Sequence, residues 1–571
     1  MSTTDWVVLF CTLLLIVAYG VYKSRGIRNI DGYLLGNKSL PWYHVALSVM
    51  ATQASAITFL SAPGLAYSSG MSFVQFYFGL PLAMIVLSVS FVPIFHRLRV
   101  FTAYEFLEKR FDVRTRAFTA ALFLIQRGLS TGITIYAPAI ILSSILQINV
   151  IYTTLFIGTL VVLYTVYGGT KAVSYTQLLQ MTIIFGGLLT AGILVVYMLP
   201  QDIGFSKALH IAGKSGKANA IDLSFDWNNQ YTLWSGLIGG FFLQLSYFGT
   251  DQSQVGRYLT GSSVRDSRIG LLMNGLLKVP MQFAILLIGI LVFAFYQYNS
   301  PPIFFNKYEL HRIENSPYAA QVEALKTEHH AIFEDKQKQI HRLTEALDAD
   351  DETVIADVRN QLQSADERAK EIRQNLVELM QQNDALADTN DNNYIFLSFV
   401  TENFPKGLIG LLVAIVFMAS MGATSGAINS LASTTVIDIY KRFVSKKGSE
   451  RGYLSASRIF TLVWGIFCII IALYASKLGN LLEAVNILGS LFYGTILGIF
   501  VVAFYVKRAG GKAVLWAAVL TEVVVVSFWW FDVMAFLWLN LVGCAGVVLF
   551  SLIFQGTRSN QQTLATNASP Q

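Results

Sequence analysis

The sequence predicts an all-α polytopic membrane protein, and three observations carry that prediction. Apolar runs recur along nearly the whole chain. Of its 571 residues, 54% are hydrophobic and 13% charged, a balance that fits a bilayer rather than water. Basic side chains gather in alternate connections between the runs, the pattern of cytoplasmic loops.

The runs fall at roughly 4–22, 41–70, 74–95, 116–146, 149–167, 175–199, 233–252, 269–296, 406–436, 457–476, 481–506, 513–530 and 533–555. A helix of ~20 apolar residues crosses the hydrocarbon core, so thirteen spans are expected. The first run lacks a basic lead and a small-residue cleavage site, which marks a retained span and not a signal peptide. Cys11, Cys468 and Cys544 sit in apolar stretches without metal spacing and read as packing residues.

The connection carrying Lys23, Arg25, Arg28 and Lys38 is basic. So are those with Arg97, Arg99, Lys109, Arg110, Arg114 and Arg116, with Arg257, Arg265 and Arg268, with Lys441, Arg442, Lys446, Lys447 and Arg451, and with Lys507, Arg508 and Lys512. Placing these inside puts the amino terminus outside and the carboxyl terminus in the cytoplasm. The tail after Gln555 is polar and reads as disordered.

A hydrophilic stretch at about 299–392 interrupts the apolar pattern. Val322, Leu325, Ile332, Ile340, Leu343 and Leu347 form one stripe, broken at His329 and Lys336. Ile355, Val358, Leu362, Ala365, Ala369, Ile372, Leu376 and Leu379 alternate by three and four, as a heptad seam does. The acidic stretch Asp348–Glu352 supplies the turn. The pattern predicts an inserted antiparallel coiled-coil hairpin outside the membrane, serving either as rigid decoration or as a docking arm for an extra-cytoplasmic protein partner.

Polar residues at membrane depth direct the search for a site. The segment from Pro41 to Gly70 places Thr52, Gln53, Ser55, Thr58 and Ser61 in a span, and Pro63–Gly64 is expected to interrupt it. Such a stretch packs against neighbouring helices through small residues or forms a broken helix lining a solute site. Arg127 and Lys278 are cations within spans, Tyr247 and Asp251 lie in a Gly- and Gln-rich one, and the stretch FMASMGATSGAINSLASTTVIDIYKR is small or hydroxylic on every face. Intramembrane charge is costly and marks pathways or buried pairs. Two polar, well-separated spans favour a transporter. There is no HExxH, G-x-S-x-G, Walker loop or helix-opening GxGxxG. An enzyme, a nucleotide-driven pump and a nucleic-acid binder are accordingly not expected; the partners are a small solute and the lipid bilayer.

DGYLLGNKSLPW (31–42), TAYEFLEKRFDVRTR (102–116), VYGGTKAVSYTQLLQ (166–180), FGTDQSQVGRYL (248–259) and INSLASTTVIDIYKR (428–442) together resemble the sodium:solute symporters. These include sodium–glucose, iodide, proline and sialic acid transporters. The resemblance implies a LeuT-like core of two inverted five-helix repeats, assembled from 41–299 and 396–510. An additional span (1–24) would precede it, the hairpin insertion (300–395) would interrupt it, and two more spans (511–556) with a tail (557–571) would follow. It also implies a bacterial inner membrane.

For the co-transported sodium ion, the resemblance points to carbonyls of Ala51, Ala54 and Ala419. The family's two hydroxyl positions are Gly422 and Ala423 here, and its acidic position is Gln177. A hard cation takes several oxygens, so Thr424 and Ser425, which follow at once, are the expected substitutes. On the solute side Ser55 and Thr58 resemble the carboxylate-binding pair of the sialic acid branch, Gln244, Lys278 and Asn486 match sugar-contact positions, Tyr247 matches an inner-gate aromatic, and Tyr77 stands where the glucose branch has its sugar-binding carboxylate. Arg127 lies one turn before the position of the sialic acid branch's arginine, which is Ser130 here. The expected function is alternating-access import of a small organic solute, a monocarboxylate or acidic sugar before a neutral sugar. The alternatives are a sodium-uncoupled or proton-coupled carrier, and a transporter-shaped sensor acting through the hairpin.

Overall fold

The computed structural model describes residues 1–24, 39–98, 102–167, 170–200, 203–349, 351–385, 387–445 and 449–567. The basic loop expected at 25–38 falls outside them, as do Lys446 and Lys447 and the paired glycines 168–169.

The chain is helical almost throughout. Helix α1 (Thr3–Ser24) is followed by a bent pair, α2 (Trp42–Gln53) and α3 (Ala56–Ser69). Then come α4 (Met71–Leu98), α5 (Val113–Leu146), α6 (Val150–Tyr167) and α7 (Thr170–Tyr197). A second interrupted element follows, α8 (Gly240–Thr250) and α9 (Gln252–Tyr258), and then α10 (Val264–Tyr298). Two hydrophilic helices, α11 (Ala319–Ala349) and α12 (Glu352–Asn383), precede α13 (Leu408–Val444), α14 (Glu450–Leu473) and α15 (Leu481–Tyr505). Helices α16 (Gly511–Trp530) and α17 (Phe536–Asn567) complete the chain, the last extending into the stretch read as a polar tail.

Side-chain caps set several helix starts. Asp112, Ser263 and Asn480 accept from the backbone N–H groups of Thr115, Asp266 and Leu482 at 2.8, 3.0 and 2.9 Å, satisfying donors that the first helical turn leaves orphaned. Where α5 ends, Gln147 takes a left-handed conformation at φ 54°. On the basic side, Asp438 near the end of α13 accepts from Arg116 Nε at 2.7 Å and Thr102 Oγ1 at 2.9 Å. Glu108 holds Arg116 at 2.6 Å and Arg442 at 3.1 Å. This network ties the 102–116 motif to the motif at 428–442.

Two expectations are corrected. Thirteen spans are not found: among the described residues nine helices are long and apolar enough to cross a membrane, ten if α2 and α3 count as one broken span. The described apolar parts of α1 and α6 are short, Thr3–Ile16 and Val150–Leu163. The run expected at 233–252 is helical from 233 to 250, with a π-turn at Ser235–Gly239, but it is not among the helices apolar enough to count. An apolar run is read as a span whatever polar residues it carries, whereas a helix this rich in Gly, Gln and Ser is less apolar than a lipid-facing one.

The inserted coiled-coil hairpin is also corrected. Helices α11 and α12 do not form a self-contained coil. Ile340, Leu343, Ile355, Val358 and Leu362 join the same buried apolar cluster as the membrane helices, and Val322, Ile372, Leu376 and Met380 close around Ile303, Phe304 and Ile313. Gln337 Nε2 donates to the Tyr298 carbonyl at 3.2 Å, and Lys214 reaches Glu352 at 3.3 Å. A three-four repeat says only that one helix face is apolar; it does not say what covers that face. A protein partner at a free hairpin loses its premise with this packing.

Candidate functional site

The backbone opens where α2 ends. The Ala54 N–H still reaches Met50 O at 2.7 Å, but the Ser55 N–H turns back to Gln53 O at 3.0 Å and the Thr58 N–H bonds Ser55 O at 3.0 Å. In a continuous helix those two donors would serve the carbonyls of Ala51 and Ala54. Both carbonyls thus lose their usual partner, and the axis turns by 60°. The interruption lies eight residues before the proline expected to cause it, because Pro63 sits inside α3. Gly64 beside it has a different reason: a Cβ there would stand 2.0 Å from the Asn392 carbonyl oxygen.

A second break lies at Asp251, in extended conformation (φ −75°, ψ 119°) between α8 and α9. Its Oδ1 accepts from the Ser253 N–H at 2.7 Å, capping α9, and its Oδ2 accepts from Tyr493 Oη on α15 at 2.7 Å. Arg127 on α5 approaches the same carboxylate at 3.6 Å and lies over the Tyr247 ring at 5.7 Å.

A cavity between the two breaks is lined by α2, α3, α4, α5, α8, α13 and α15. Of the expected solute residues, Ser55, Thr58, Tyr77, Arg127, Gln244, Tyr247 and Asn486 all line it. Lys278 does not. It is fully buried on α10 with its Nζ 5.6 Å from the centre of the Tyr77 ring, behind that part of the cavity wall. Gln53, Gln126, Thr131, Thr134 and Tyr493 also line the space and were not singled out as solute contacts from the sequence. For Gln126 the signal was present, since it directly precedes an intramembrane arginine.

Six polar atoms on lining residues have no hydrogen-bond partner among the described residues: Gln53 Oε1, Gln126 Oε1, Arg127 Nε, Gln244 Nε2, Thr424 Oγ1 and Asn486 Nδ2. Buried polar groups are normally satisfied, so this set amounts to an unfilled hydrogen-bonding surface. It combines a cationic donor, two amide donors, two amide acceptors and a hydroxyl.

Of the expected cation-binding positions, Ala423 and Thr424 line the cavity, while Ala51, Ala54, Ala419, Gly422 and Ser425 are buried beside it. The Ser425 hydroxyl, like that of Thr424, lacks a partner among the described residues. Gln177 Oε1 accepts from Ser48 Oγ at 2.7 Å and its Nε2 donates to Thr52 Oγ1 at 3.3 Å, which fixes α7 to α2. Gly422 has no hydroxyl, but a Cβ there would lie 2.9 Å from Gln180 Oε1. An amide oxygen therefore reaches the neighbourhood that a serine side chain would fill. Freed carbonyls, two free hydroxyls and two glutamine amides give the region oxygen donors that suit a hard cation. No group of three or more His, Cys, Asp or Glu side chains able to hold a metal ion occurs among the described residues.

A family model described as the sodium:solute symporter family matches residues 33–307 and 375–521. The chain is 25% identical to the sodium/sialic acid symporter NanT of Aliivibrio fischeri, over 96% of this chain and 94% of that protein. It is 26% identical to the human sodium-coupled monocarboxylate transporter 1, over 88% of this chain and 70% of that one. Among solved structures, a Na+-coupled sialic acid symporter in a substrate-bound, outward-open state matches with a TM-score of 0.74 and 22% identity, covering 97% of this chain and 98% of that one. That likeness is one of fold.

Proposed function

From the premise that the chain belongs to the sodium:solute symporter family, and is therefore a sodium-coupled secondary transporter and not an enzyme, we propose that its central cavity takes up a small organic acid bearing several polar groups. A sialic acid-like sugar acid ranks first and a simpler monocarboxylate second. The observation that carries this reading is the unfilled donor and acceptor set, with the Arg127 Nε among its donors.

Arg127 is partly neutralised by Asp251 at 3.6 Å, longer than a hydrogen bond. Its planar fork retains an edge for a solute carboxylate. Gln244 and Asn486 offer donors, and Gln53 and Gln126 acceptors, to hydroxyl or amide groups elsewhere on the solute. The aromatic walls Phe76, Tyr77 and Tyr247 cover its apolar faces. A simple monocarboxylate would leave most of the amides unpaired, which favours the larger sugar acid.

The sodium ion belongs, on this reading, beside the end of α2. The carbonyls of Ala51, Ala54 and Ala419 and the hydroxyls of Thr424 and Ser425 supply its oxygens, and Gln177 and Gln180 adjoin it. On this reading the amino terminus lies outside and the carboxyl terminus in the cytoplasm, an orientation that the basic connections support, and the likeness to bacterial symporters favours a bacterial inner membrane.

The test is uptake of radiolabelled sialic acid into proteoliposomes under an inward sodium gradient. Thr58→Ala abolishes uptake while the purified protein keeps its thermal unfolding profile, and Arg127→Ala abolishes it in a protein that still folds but unfolds at a lower temperature, because Asp251 loses its partner. Sodium-driven uptake that survives Arg127→Ala would exclude the carboxylate contact.

A further inference from the structure

The loop 387–394, between α12 and the helix Ile395–Asn403, bridges three elements that line the cavity. Its Asn392 carbonyl presses against Gly64 on α3. Asn393 Nδ2 donates to the Gly479 carbonyl at 3.4 Å, just before α15. Asp388 Oδ2 accepts from Tyr136 Oη at 3.1 Å. Tyr136 lies on α5, which also carries Arg127, Thr131 and Thr134 of the cavity wall. Tyr394 Oη donates to the same carboxylate oxygen at 2.8 Å.

A second acid adjoins this contact. Glu309, on the helix Lys307–Glu314, accepts the Asp388 N–H at 3.5 Å and meets Arg312 at 3.4 Å, and Arg312 also binds Asp384. Arg373 of α12 is committed to Asp391 at 2.7 Å, on the same loop. Asp388, Tyr136, Tyr394 and Glu309 are all buried. Asp388 thus faces two phenols and one further acid, and among the described residues its side chain bonds no cation. Burial, with the Glu309 charge adding to it, pushes its carboxyl up to about 7 against the bonds from the two phenols. Glu309 is raised as well, mainly by burial, with Arg312 opposing.

We propose that residues 387–394 form a proton-controlled latch across this end of the cavity, closed while Asp388 is neutral and released when it ionises. A neutral carboxyl keeps both tyrosine bonds without placing a second charge beside Glu309. An ionised one is stabilised by leaving the buried cluster for water. Opening detaches the loop from α3, α5 and the start of α15 together, the elements that must separate for solute to pass. The function read above enters only through the meaning of the cavity, and the test needs no solute.

The experiment measures labelling of Thr134→Cys by a water-soluble maleimide in detergent-solubilised full-length protein carrying Cys11→Ser. The remaining cysteines, Cys468 and Cys544, are buried. The same reporter in an Asp388→Asn background cancels the thiol's own pH dependence. The ratio of the two rates is expected to rise about tenfold from pH 6 to pH 8, as for a single ionisation centred between them. Glu309→Gln removes the like charge and is expected to move the midpoint to lower pH. A flat ratio across this range, or a midpoint unmoved by Glu309→Gln, overturns the latch. If Asp388→Asn labels fast at every pH, the Glu309→Gln midpoint, referred to a Tyr136→Phe background, decides instead.

Discussion

The Arg127 guanidinium and the Asp251 carboxylate face each other at 3.6 Å, one from the middle of a long helix and the other from a helix break. Removing one partner of a buried pair leaves an uncompensated charge, at a cost of about 3–5 kcal/mol, whereas removing both can be nearly neutral. Asp251→Asn is therefore expected to lower thermal stability clearly, and Arg127→Met with Asp251→Asn to recover most of it. Uptake is absent in both. An Asp251→Asn protein as stable as the parent would show that the pair holds nothing together.

Sodium is expected to stabilise the purified protein over potassium at equal ionic strength, by roughly 2.7 kcal/mol at 100 times its dissociation constant. Thr424→Ala combined with Ser425→Ala removes that difference if these hydroxyls take part. Gly422→Ser introduces a Cβ 2.9 Å from Gln180 Oε1, so it is tolerated better alongside Gln180→Ala than alone. A full sodium effect in the double alanine variant would move the ion elsewhere.

Gly64→Ala tests the seat of the 387–394 loop. A methyl group would meet a backbone oxygen at 2.0 Å, a contact that no side-chain rotation relieves. Overpacking of this kind costs about 1–3 kcal/mol, read as a fall in the unfolding temperature. An unchanged temperature would mean that the loop yields freely.

The α11–α12 pair has its own pH dependence. His329 is buried and its pKa drops from 6.5 to about 4, by desolvation first and then by the charges of Arg373, Lys336 and His330. The unfolded chain thus binds this proton more readily than the folded one. The stability contribution is complete above pH 6.5 and is lost as pH falls towards 4, reaching about 2 kcal/mol by pH 5 at 1.36 kcal/mol per unit. His329→Leu should flatten this part of the stability profile. A slope between pH 7 and 5 identical to the parent's would assign it to other groups.

The sequence made the class of fold and much of the cavity wall legible, for one physical reason: hydroxyls, amides and a guanidinium are too costly at membrane depth to stand there by chance. Ser55, Thr58, Arg127 and Tyr247 were visible in this way and Gln244 through the resemblance, and all line the cavity. The span count was not legible, because three of the apolar runs fall short as helices: the described apolar parts of α1 and α6 are short, and the helix at 233–250 carries Gly, Gln and Ser where a lipid-facing span would carry Leu. The covering of the α11–α12 stripe was not legible either, since periodicity is a property of one helix and burial a property of two. Lys278 is the instructive miss. Its type and position suited a solute contact, but the ring of Tyr77 stands nearby on the wall itself. Gln180 was missed because its approach to Gly422 spans more than two hundred positions.

The glutamine at position 177, where the family's acidic residue would stand, has an electrical consequence. A carrier whose ion seat holds only carbonyls, hydroxyls and amides returns empty without carrying charge across the bilayer. The membrane potential then acts on the loaded step alone, at about 2.3 kcal/mol per 100 mV for each net elementary charge moved. At saturating solute and sodium, when the empty return sets the turnover, uptake becomes insensitive to voltage. With one sodium ion and one solute carboxylate the loaded step moves no net charge either, so any current that accompanies uptake counts additional cations.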